Sequence, residues 1–167
     1  MDARSTAVIS DCGAYRFSLG RTLSETGPTA CFIMLNPSTA DAAKNDPTIR
    51  KCIGFATRWG CSSLLAVNLF AIRSTDPMGI RRSGDPIGPD NDSWIVSSVK
   101  QAQSTSGPVV AAWGNHGGVH GRGPAVARML IDAGVDLRCL GTTRDGHPLH
   151  PLHLAYATQL VKYHGLL

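Results

Sequence analysis

Two asparagines follow apolar stretches of this sequence at positions where a side chain can do chemistry. Asn36 comes directly after the run 30–35, and Asn68 lies near the end of the run 64–70. An amide is a poor base, but its oxygen and its NH2 group can hold a water molecule or read a ligand that offers a donor beside an acceptor. The alternatives are a turn-capping role for Asn36 and a backbone hydrogen bond for Asn68, because buried amides need partners. We interpret both residues as candidate contacts for a ligand or a water molecule.

Five of the six histidines lie between residues 116 and 153, and three of them share a proline-rich segment. Pro148 and Pro151 separate His147, His150 and His153, and the two prolines exclude a regular helix. The sequence has neither a His-Glu-x-x-His pattern nor a phosphate-binding P-loop, so we expect no metal ion and no other cofactor. A surface loop with incidental histidines is one alternative. We favour a stiff loop that presents His150 to a reaction centre, where an imidazole donates a hydrogen bond to a developing anion.

Strand-like runs alternate with helix-like stretches along the chain. Three apolar runs, typical of strands covered on both faces, are 30–35, 64–70 and 109–113, and a fourth strand-like run is 135–140. One helix begins at Asp46, a good N-cap before Pro47, and two more are expected over 93–103 and 123–133. This alternation predicts a three-layer α/β/α sandwich with a central, mostly parallel four-stranded sheet. The alternating segment 15–23 adds an N-terminal strand or hairpin.

Ligands of parallel sheets bind beyond the carboxyl ends of the strands. We therefore expect the polar side chains at neighbouring strand ends, Asn36 and Asn68 among them, to share a single cavity. The segment 74–91 is too rich in glycine and proline for a helix or a strand, and loops of this length are often functional. Arginines in and around the glycine-rich segments are candidate contacts for a phosphate backbone. They are Arg73, Arg81, Arg82 and Arg122.

The composition agrees with a single domain over residues 1–167. Hydrophobic residues make up 43% of the chain and charged residues 17%, which excludes intrinsic disorder, and no apolar run is long enough to cross a membrane. The net charge of +4 rests mainly on arginine, which favours a polyanionic partner, although such a charge also aids solubility. Five cysteines without a Cys-x-x-Cys pair indicate a reducing compartment. We expect a cytoplasmic monomer without a membrane partner.

Four short motifs occur in the order found in the uracil-DNA glycosylase superfamily. They are LNPS at 35–38, VNLF at 67–70, AWGNH at 112–116 and HPLHL at 150–154. With Asn36 in place of an aspartate, the chain resembles the mismatch-specific branch of that superfamily. It resembles more closely an uncharacterised bacterial family with the stretches LNPSTAD, DPTIR, NLFAIRSTDP, DPIGPDND, AWG and HPLHPL. The resemblance covers residues from about 30 to 155 and implies the α/β/α fold of these enzymes.

The resemblance also implies roles for the candidate residues. Asn36 would orient the attacking water, Asn68 would read the edge of a flipped base, and His150 would stabilise the departing base as an anion. No aspartate aligns with Asn36, so we consider Asp41 and Asp46 as the general base. The other residues expected around the base are Pro37, Ser38, Phe70, Trp113, His147 and His153.

These observations predict a cofactor-free DNA glycosylase whose partner is DNA and whose product is an abasic site. The segment after Asn36 lacks the aromatic residue that stacks on uracil in the superfamily, and residues 45–47 (NDP) lie in its place. We therefore expect a damaged or modified base, for example a hypermodified cytosine of phage DNA, and a role in defence against phage. The alternatives are hydrolysis of a free modified nucleoside or nucleotide, and a module that binds nucleic acid without catalysis.

Overall fold

The computed structural model describes residues 5–76 and 78–166, so residues 1–4, 77 and 167 of the predicted domain lie outside the described residues. The strands are β1 (Ser5–Ile9), β2 (Arg16–Thr22), β3 (Thr29–Met34), β4 (Ser63–Asn68), β5 (Val109–Ala111), β6 (Leu137–Cys139) and β7 (Val161–Lys162). The helices are α1 (Pro47–Arg58), α2 (Met78–Arg82), α3 (Asn91–Ser104) and α4 (Arg122–Asp132). Two short 3₁₀ segments are Asn115–Gly121 and Pro151–His153.

The strands of the described residues form one mixed sheet in the order β1-β2-β4-β3-β5-β6-β7. The four central strands, β4, β3, β5 and β6, run parallel and correspond to the four strand-like runs of the sequence. The predicted α/β class is confirmed. The predicted four-stranded sheet is too small, because the β1–β2 hairpin pairs antiparallel with β4, and β7 pairs antiparallel with β6.

Helices cover both faces of this sheet, because successive side chains of the central strands alternate between two cores. Ile33 and Val67 belong to the core that α3 and α4 complete. Phe32 and Ala66 belong to the opposite core, which α1 completes. Every residue of β3 is buried, as the continuous apolar run predicts for a strand covered on both sides.

The helix α1 begins where the sequence predicts. Asp46 is its N-cap: the Oδ1 atom of Asp46 accepts a hydrogen bond from the amide of Ile49 at 2.8 Å, and Pro47 opens the first turn. The segment 74–91 is only partly the predicted loop, since α2 forms inside it with Ile80 buried. None of the helices in the described ranges is long and apolar enough to cross a membrane.

The two strand ends that carry the candidate asparagines are neighbours in the sheet. Met34, the last residue of β3, pairs with Asn68, the last residue of β4. The amide of Leu69 donates to the Met34 carbonyl at 2.9 Å, so the pairing continues past the ends of both strands. Asn36 follows two residues after Met34, and this places the two asparagines at one edge of the sheet.

Candidate functional site

A cavity of about 360 Å³ opens at the carboxyl ends of β3 and β4. Five residues predicted from the sequence line it, namely Asn36, Ser38, Asp46, Asn68 and His150. The volume lies in the range of small-molecule sites, about 300–1,000 Å³. Four other cavities, along β5 to β7, α4 and the C-terminal segment, contain none of the predicted site residues. Polar side chains from neighbouring strand ends therefore share one cavity, at the position that parallel sheets offer to ligands.

Asn68 lines this cavity, and its amide is buried. Asn68 is 1% exposed, and neither its Oδ1 nor its Nδ2 has a hydrogen-bond partner among the described residues. The backbone around it is held from α3 and α4: Asn91 Nδ2 donates to the Asn68 carbonyl at 2.9 Å, and Arg122 Nε donates to the Leu69 carbonyl at 2.9 Å. Because buried amides are almost always paired, an unpaired amide at a cavity wall indicates a ligand that completes both hydrogen bonds.

Asn36 has only one end of its amide available. Its Nδ2 donates to the Ser74 carbonyl at 2.9 Å and to the Pro37 carbonyl at 3.2 Å. These bonds fix the amide plane and leave Oδ1 as an acceptor without a partner among residues 5–76 and 78–166. An acceptor held in this way suits a water molecule, which donates a hydrogen bond to it. Pro37 itself is buried and does not line the cavity, so its part is to hold Asn36 and not to touch a substrate.

The neutral ring of His150 is held in one tautomer by its surroundings. Its Nδ1 accepts a hydrogen bond from the amide of Leu152 at 3.2 Å, so the neutral ring carries its proton on Nε2. Burial lowers the pKa of His150 below its ordinary value, the nearby His153 lowers it further, and Asp46 opposes both effects. The neutral imidazole, with Nε2–H as a donor, is therefore the form present at neutral pH.

The lowered pKa of His150 has a measurable effect on stability. The ordinary pKa of histidine is about 6.5, and that of His150 in the folded protein is lower. Between a pH just above the ordinary pKa and a pH near the lowered pKa, the unfolded chain binds more protons than the folded protein. The free energy of unfolding therefore falls as the pH drops through this window, and His150→Gln removes that contribution. We expect wild type to lose more stability than His150→Gln between about pH 7 and pH 5 in urea denaturation. Equal losses in the two proteins contradict the assignment.

The two candidate acids have different positions. Asp46 lines the cavity and is 8% exposed, although its Oδ1 is occupied by the α1 cap. Asp41 lies outside the cavity lining, where its Oδ1 accepts hydrogen bonds from the amides of Ala43 at 2.8 Å and Lys44 at 2.9 Å. These two hydrogen bonds lower the pKa of Asp41, and the bond from Ala43 has the larger effect. The geometry therefore supports Asp46 as the candidate general base. It gives the same role for Asp41 no support, because the Asp41 carboxylate closes a local turn.

Arg16 is a lining residue that sequence analysis misses. It is 2% exposed, its Nη1 donates to the Ala40 carbonyl at 2.8 Å, and its Nε has no partner among the described residues. Burial lowers the pKa of Arg16 to about 10, and the Asp46 carboxylate opposes this shift. The guanidinium is therefore still charged at neutral pH. Three hydroxyl residues of the lining, Thr48, Ser74 and Thr75, are also missed, since no local pattern distinguishes them from ordinary loop residues.

The two aromatic residues expected around the base lie in the core instead. Phe70 is fully buried in the core below α3 and α4, with its ring 6.4 Å from that of His120. Trp113 is 1% exposed and packs edge-on against Tyr163 at 6.0 Å. Gly117 leaves no room for a side chain beside this indole. Neither ring lines the cavity, so the structure does not bring Phe70 and Trp113 together with the other expected substrate contacts.

The outer histidines of the proline-rich segment also lie apart from the cavity lining. His147 is half-buried, and its ring lies beside Gly118. His153 is exposed and acts on the site only through its effect on the pKa of His150. The fold of the segment is held by a hydrogen bond from the amide of Gly114 to the Pro148 carbonyl at 2.9 Å, and of the three histidines His150 alone lines the cavity.

The four candidate arginines fall into two groups. Arg73 is half-buried next to the lining residue Ser74, and Arg81 and Arg82 are exposed on α2. Arg122 is buried, and its Nη2 forms an ion pair with Asp92 at 2.5 Å. The structure therefore gives the expected contact of Arg122 with a phosphate backbone no support, because its Nε and Nη2 donate to groups inside the protein.

We expect Arg122→Met to destabilise the protein without weakening DNA binding. The change removes the ion pair with Asp92 and the hydrogen bond to the buried Leu69 carbonyl, a loss of roughly 2 kcal/mol. Thermal denaturation measures the first effect, and titration of folded protein with duplex DNA measures the second. The matched control Arg82→Met is expected to leave the melting temperature unchanged. An unchanged melting temperature with weaker DNA binding in Arg122→Met contradicts the structural role.

An α/β domain with a polar cavity at the carboxyl ends of its central strands defines the structural class of this protein. Its residues 16–152 match the family described as Protein of unknown function (DUF1643), and the chain belongs to that family. No curated protein and no solved structure matches the chain significantly. In residues 5–76 and 78–166, no group of three histidine, cysteine, aspartate or glutamate side chains is placed to bind a metal ion.

Proposed function

We propose that this protein is a monofunctional DNA glycosylase, which hydrolyses the N-glycosidic bond of a damaged or modified base that has flipped out of DNA. The observation that carries the proposal is the unpaired, buried amide of Asn68 in a cavity shared with Asn36 and His150. The motif order of the uracil-DNA glycosylase superfamily supports the same function, because its base-reading asparagine, its water-orienting residue and its histidine match these three positions.

The free amide of Asn68 suits the edge of a nucleobase. A pyrimidine or purine presents a hydrogen-bond donor beside an acceptor on its pairing edge, and an asparagine amide matches that pair with two hydrogen bonds. A site built to make such bonds rejects a ligand that lacks them, because the protein groups are then left unpaired. Asn68 is therefore the residue that selects the base.

The other lining groups suit the charges of glycosidic cleavage. In the reaction, a water oxygen bonds to C1′ of the sugar, the bond from C1′ to the base nitrogen breaks, and its electron pair leaves with the base. Positive charge develops on the sugar and negative charge on the base. Asn36 Oδ1 orients the water, Asp46 accepts its proton and favours the cationic sugar, and the Nε2–H of His150 donates to the departing base. Fixed groups of this kind accelerate a reaction without a nucleophile or a cofactor.

The residues that line the cavity also indicate which kind of base the protein binds. Apart from the imidazole of His150, no aromatic ring of the described residues lines the cavity, and its apolar contacts are aliphatic. These are Met34, Leu35, Ile49 and Leu152. A base held by aliphatic contacts and the Asn68 amide does not depend on the aromatic stacking used for uracil. This supports a modified base as the substrate, for example a hypermodified cytosine of phage DNA, and with it a role in phage defence.

The DNA itself is the proposed partner, bound through Arg73 and the exposed arginines of α2. Arg73 is half-buried and directly precedes the lining residue Ser74, and Arg81 and Arg82 are exposed on α2. Flipping a base costs a few kcal/mol of stacking, and contacts with the backbone and the pocket offset that cost. Binding through arginine–phosphate contacts weakens steeply as salt is added, because counterions are released.

The test is release of a base from DNA. Uracil-containing DNA, mismatched DNA and phage genomic DNA with modified cytosine are incubated with the protein, then treated with alkali to cleave abasic sites. Mass spectrometry of the small molecules identifies the base. We expect abasic sites in at least one of these DNAs, and none with Asn36→Ala as a control for contaminating activity. Release from free nucleosides or nucleotides alone favours the monomer hydrolase, and salt-sensitive binding without release favours the non-catalytic module.

A further inference from the structure

Arg16 is a buried charge that the fold does not satisfy. In the part of the chain that the structure describes, the only hydrogen bond of its guanidinium goes from Nη1 to the Ala40 carbonyl, and its Nε is buried without a partner. The ion pairs of the described residues are Arg122 with Asp92 and Arg138 with Asp136, so no carboxylate there lies within ion-pair distance of Arg16. Leaving a buried charge without a counter-charge destabilises a protein strongly.

A second buried arginine on the same strand shows what a structural role looks like. Arg21 is 6% exposed, and each of its nitrogens donates to an oxygen. Its Nε donates to Asn45 Oδ1 at 2.9 Å, its Nη1 to the Gly20 carbonyl at 2.9 Å and its Nη2 to the Lys44 carbonyl at 3.2 Å. Arg21 therefore holds the loop before α1, whereas Arg16 keeps most of its donors unused at the wall of the cavity.

The charged groups around Arg16 leave it without an ion pair among the described residues. Asp46 has the largest electrostatic effect on Arg16 and attracts its charge, Arg73 and Arg21 repel it, and Asp41 attracts it. Of these two acids, only Asp46 lines the cavity, and one of its oxygens is occupied by the N-terminus of α1. Asp41 is occupied by its own turn. The planar guanidinium fork binds carboxylate and phosphate oxygens better than any other side chain does.

We propose that Arg16 forms an anion subsite in the cavity and binds an anionic oxygen, a carboxylate or a phosphate, of the molecule whose base contacts Asn68. The identity of that molecule as a base or nucleotide rests on the proposed function. The subsite itself rests on the unpaired donors of Arg16. Its substrate class is a base with an acidic substituent, or a nucleotide whose phosphate enters the cavity.

The test compares matched pairs of free compounds by calorimetry and by ligand-induced thermal shift. One pair is cytosine and 5-carboxycytosine, and the other is deoxycytidine and its 5′-monophosphate. We expect wild type to bind the anionic member of at least one pair about tenfold or more tightly, as a charge-assisted hydrogen bond in a dry site predicts. The pair that shows the preference tells whether the anion belongs to the base or to the phosphate.

Two variants assign that preference to Arg16. Arg16→Met keeps the volume and removes the charge, so we expect it to bind both members of a pair equally, with a melting temperature no lower than that of wild type. Arg128→Met changes an exposed arginine of α4 and is expected to keep the preference. If Arg16→Met does not fold, Arg16→Lys keeps the charge without the fork and is expected to weaken the preference.

Three results overturn the subsite: no preference in wild type, an undiminished preference in Arg16→Met, or an undiminished preference in Arg16→Lys. The measurement uses binding alone, so it does not depend on base release. Base release from DNA without any preference for the anionic compounds refutes the subsite and leaves the glycosylase intact. An Arg16-dependent preference without base release supports the subsite and refutes the glycosylase.

Discussion

Replacing Asn68 by leucine is expected to raise the melting temperature of the protein and to abolish base release. The wild-type protein buries the Asn68 amide without partners, and each unsatisfied buried polar group costs roughly 1–3 kcal/mol. Leucine fills a similar volume and has no polar atoms, so the penalty disappears. Each kcal/mol recovered raises the melting temperature of a chain of this size by about 2–4 °C. Since the base loses its two hydrogen bonds, kcat/KM is expected to fall by a factor on the order of 10⁴.

The neighbouring Asn91 provides a matched control for this prediction. Asn91 is also 1% exposed, but its Nδ2 donates to the carbonyls of Asn68 and Leu69. Asn91→Leu is therefore expected to lower the melting temperature. Differential scanning calorimetry gives the stabilities, and single-turnover base release gives the rates. If Asn68→Leu lowers the melting temperature as Asn91→Leu does, the Asn68 amide is a structural group and the base-reading role fails.

Elements with strong local signals are predictable from this sequence, and elements that depend on distant contacts are not. The runs 30–35 and 64–70 become β3 and β4, because burial on both faces requires continuous apolar residues. By contrast, β7 has two residues, and it exists only because β6 lies beside it to pair with. The helix α2 is equally hard to predict from the sequence, since it forms in a glycine-rich segment around one buried residue, Ile80.

The same distinction between local signals and distant contacts applies to the residues of the candidate site. Asn36, Asn68 and His150 are recognisable because polar residues stand out where apolar or proline-flanked segments end. Phe70 and Trp113 occupy similar positions in their runs, yet both side chains turn into the core of α3 and α4. Position along a strand indicates which end of the sheet a residue occupies, but the local turn decides whether its side chain faces the cavity or the core.

Arg16 shows what a local pattern cannot reveal. It lies in an alternating, strand-like segment, where a charged residue usually indicates the solvent face. In the fold, β2 is an inner strand between β1 and β4, and the loop before α1 covers Arg16 through Ala40. The burial of this charge, and therefore its value as a ligand contact, depends on Ala40, which lies 24 positions away in the sequence.

Asp46 combines a helix cap with a place in the cavity, and a single substitution separates the two roles. An asparagine side chain caps a helix as well as an aspartate does, so Asp46→Asn is expected to keep the melting temperature within about 1 °C of wild type. The substitution removes the carboxylate that accepts the proton of water and favours the cationic sugar. Loss of a general base slows turnover by roughly 10²–10⁴-fold, and we expect this loss in kcat with little change in KM.

Asp46→Ala is the matched variant that loses both roles. It removes the hydrogen bond to the amide of Ile49 as well as the charge, and loss of an N-cap costs about 1 kcal/mol of stability. We expect it to be as slow as Asp46→Asn and, in addition, to melt a few degrees lower. Thermal denaturation and steady-state base release on the same preparations distinguish the roles. Wild-type turnover in Asp46→Asn would reduce Asp46 to a helix cap, and the attacking water would then be activated by Asn36 and the electrostatics of the DNA alone.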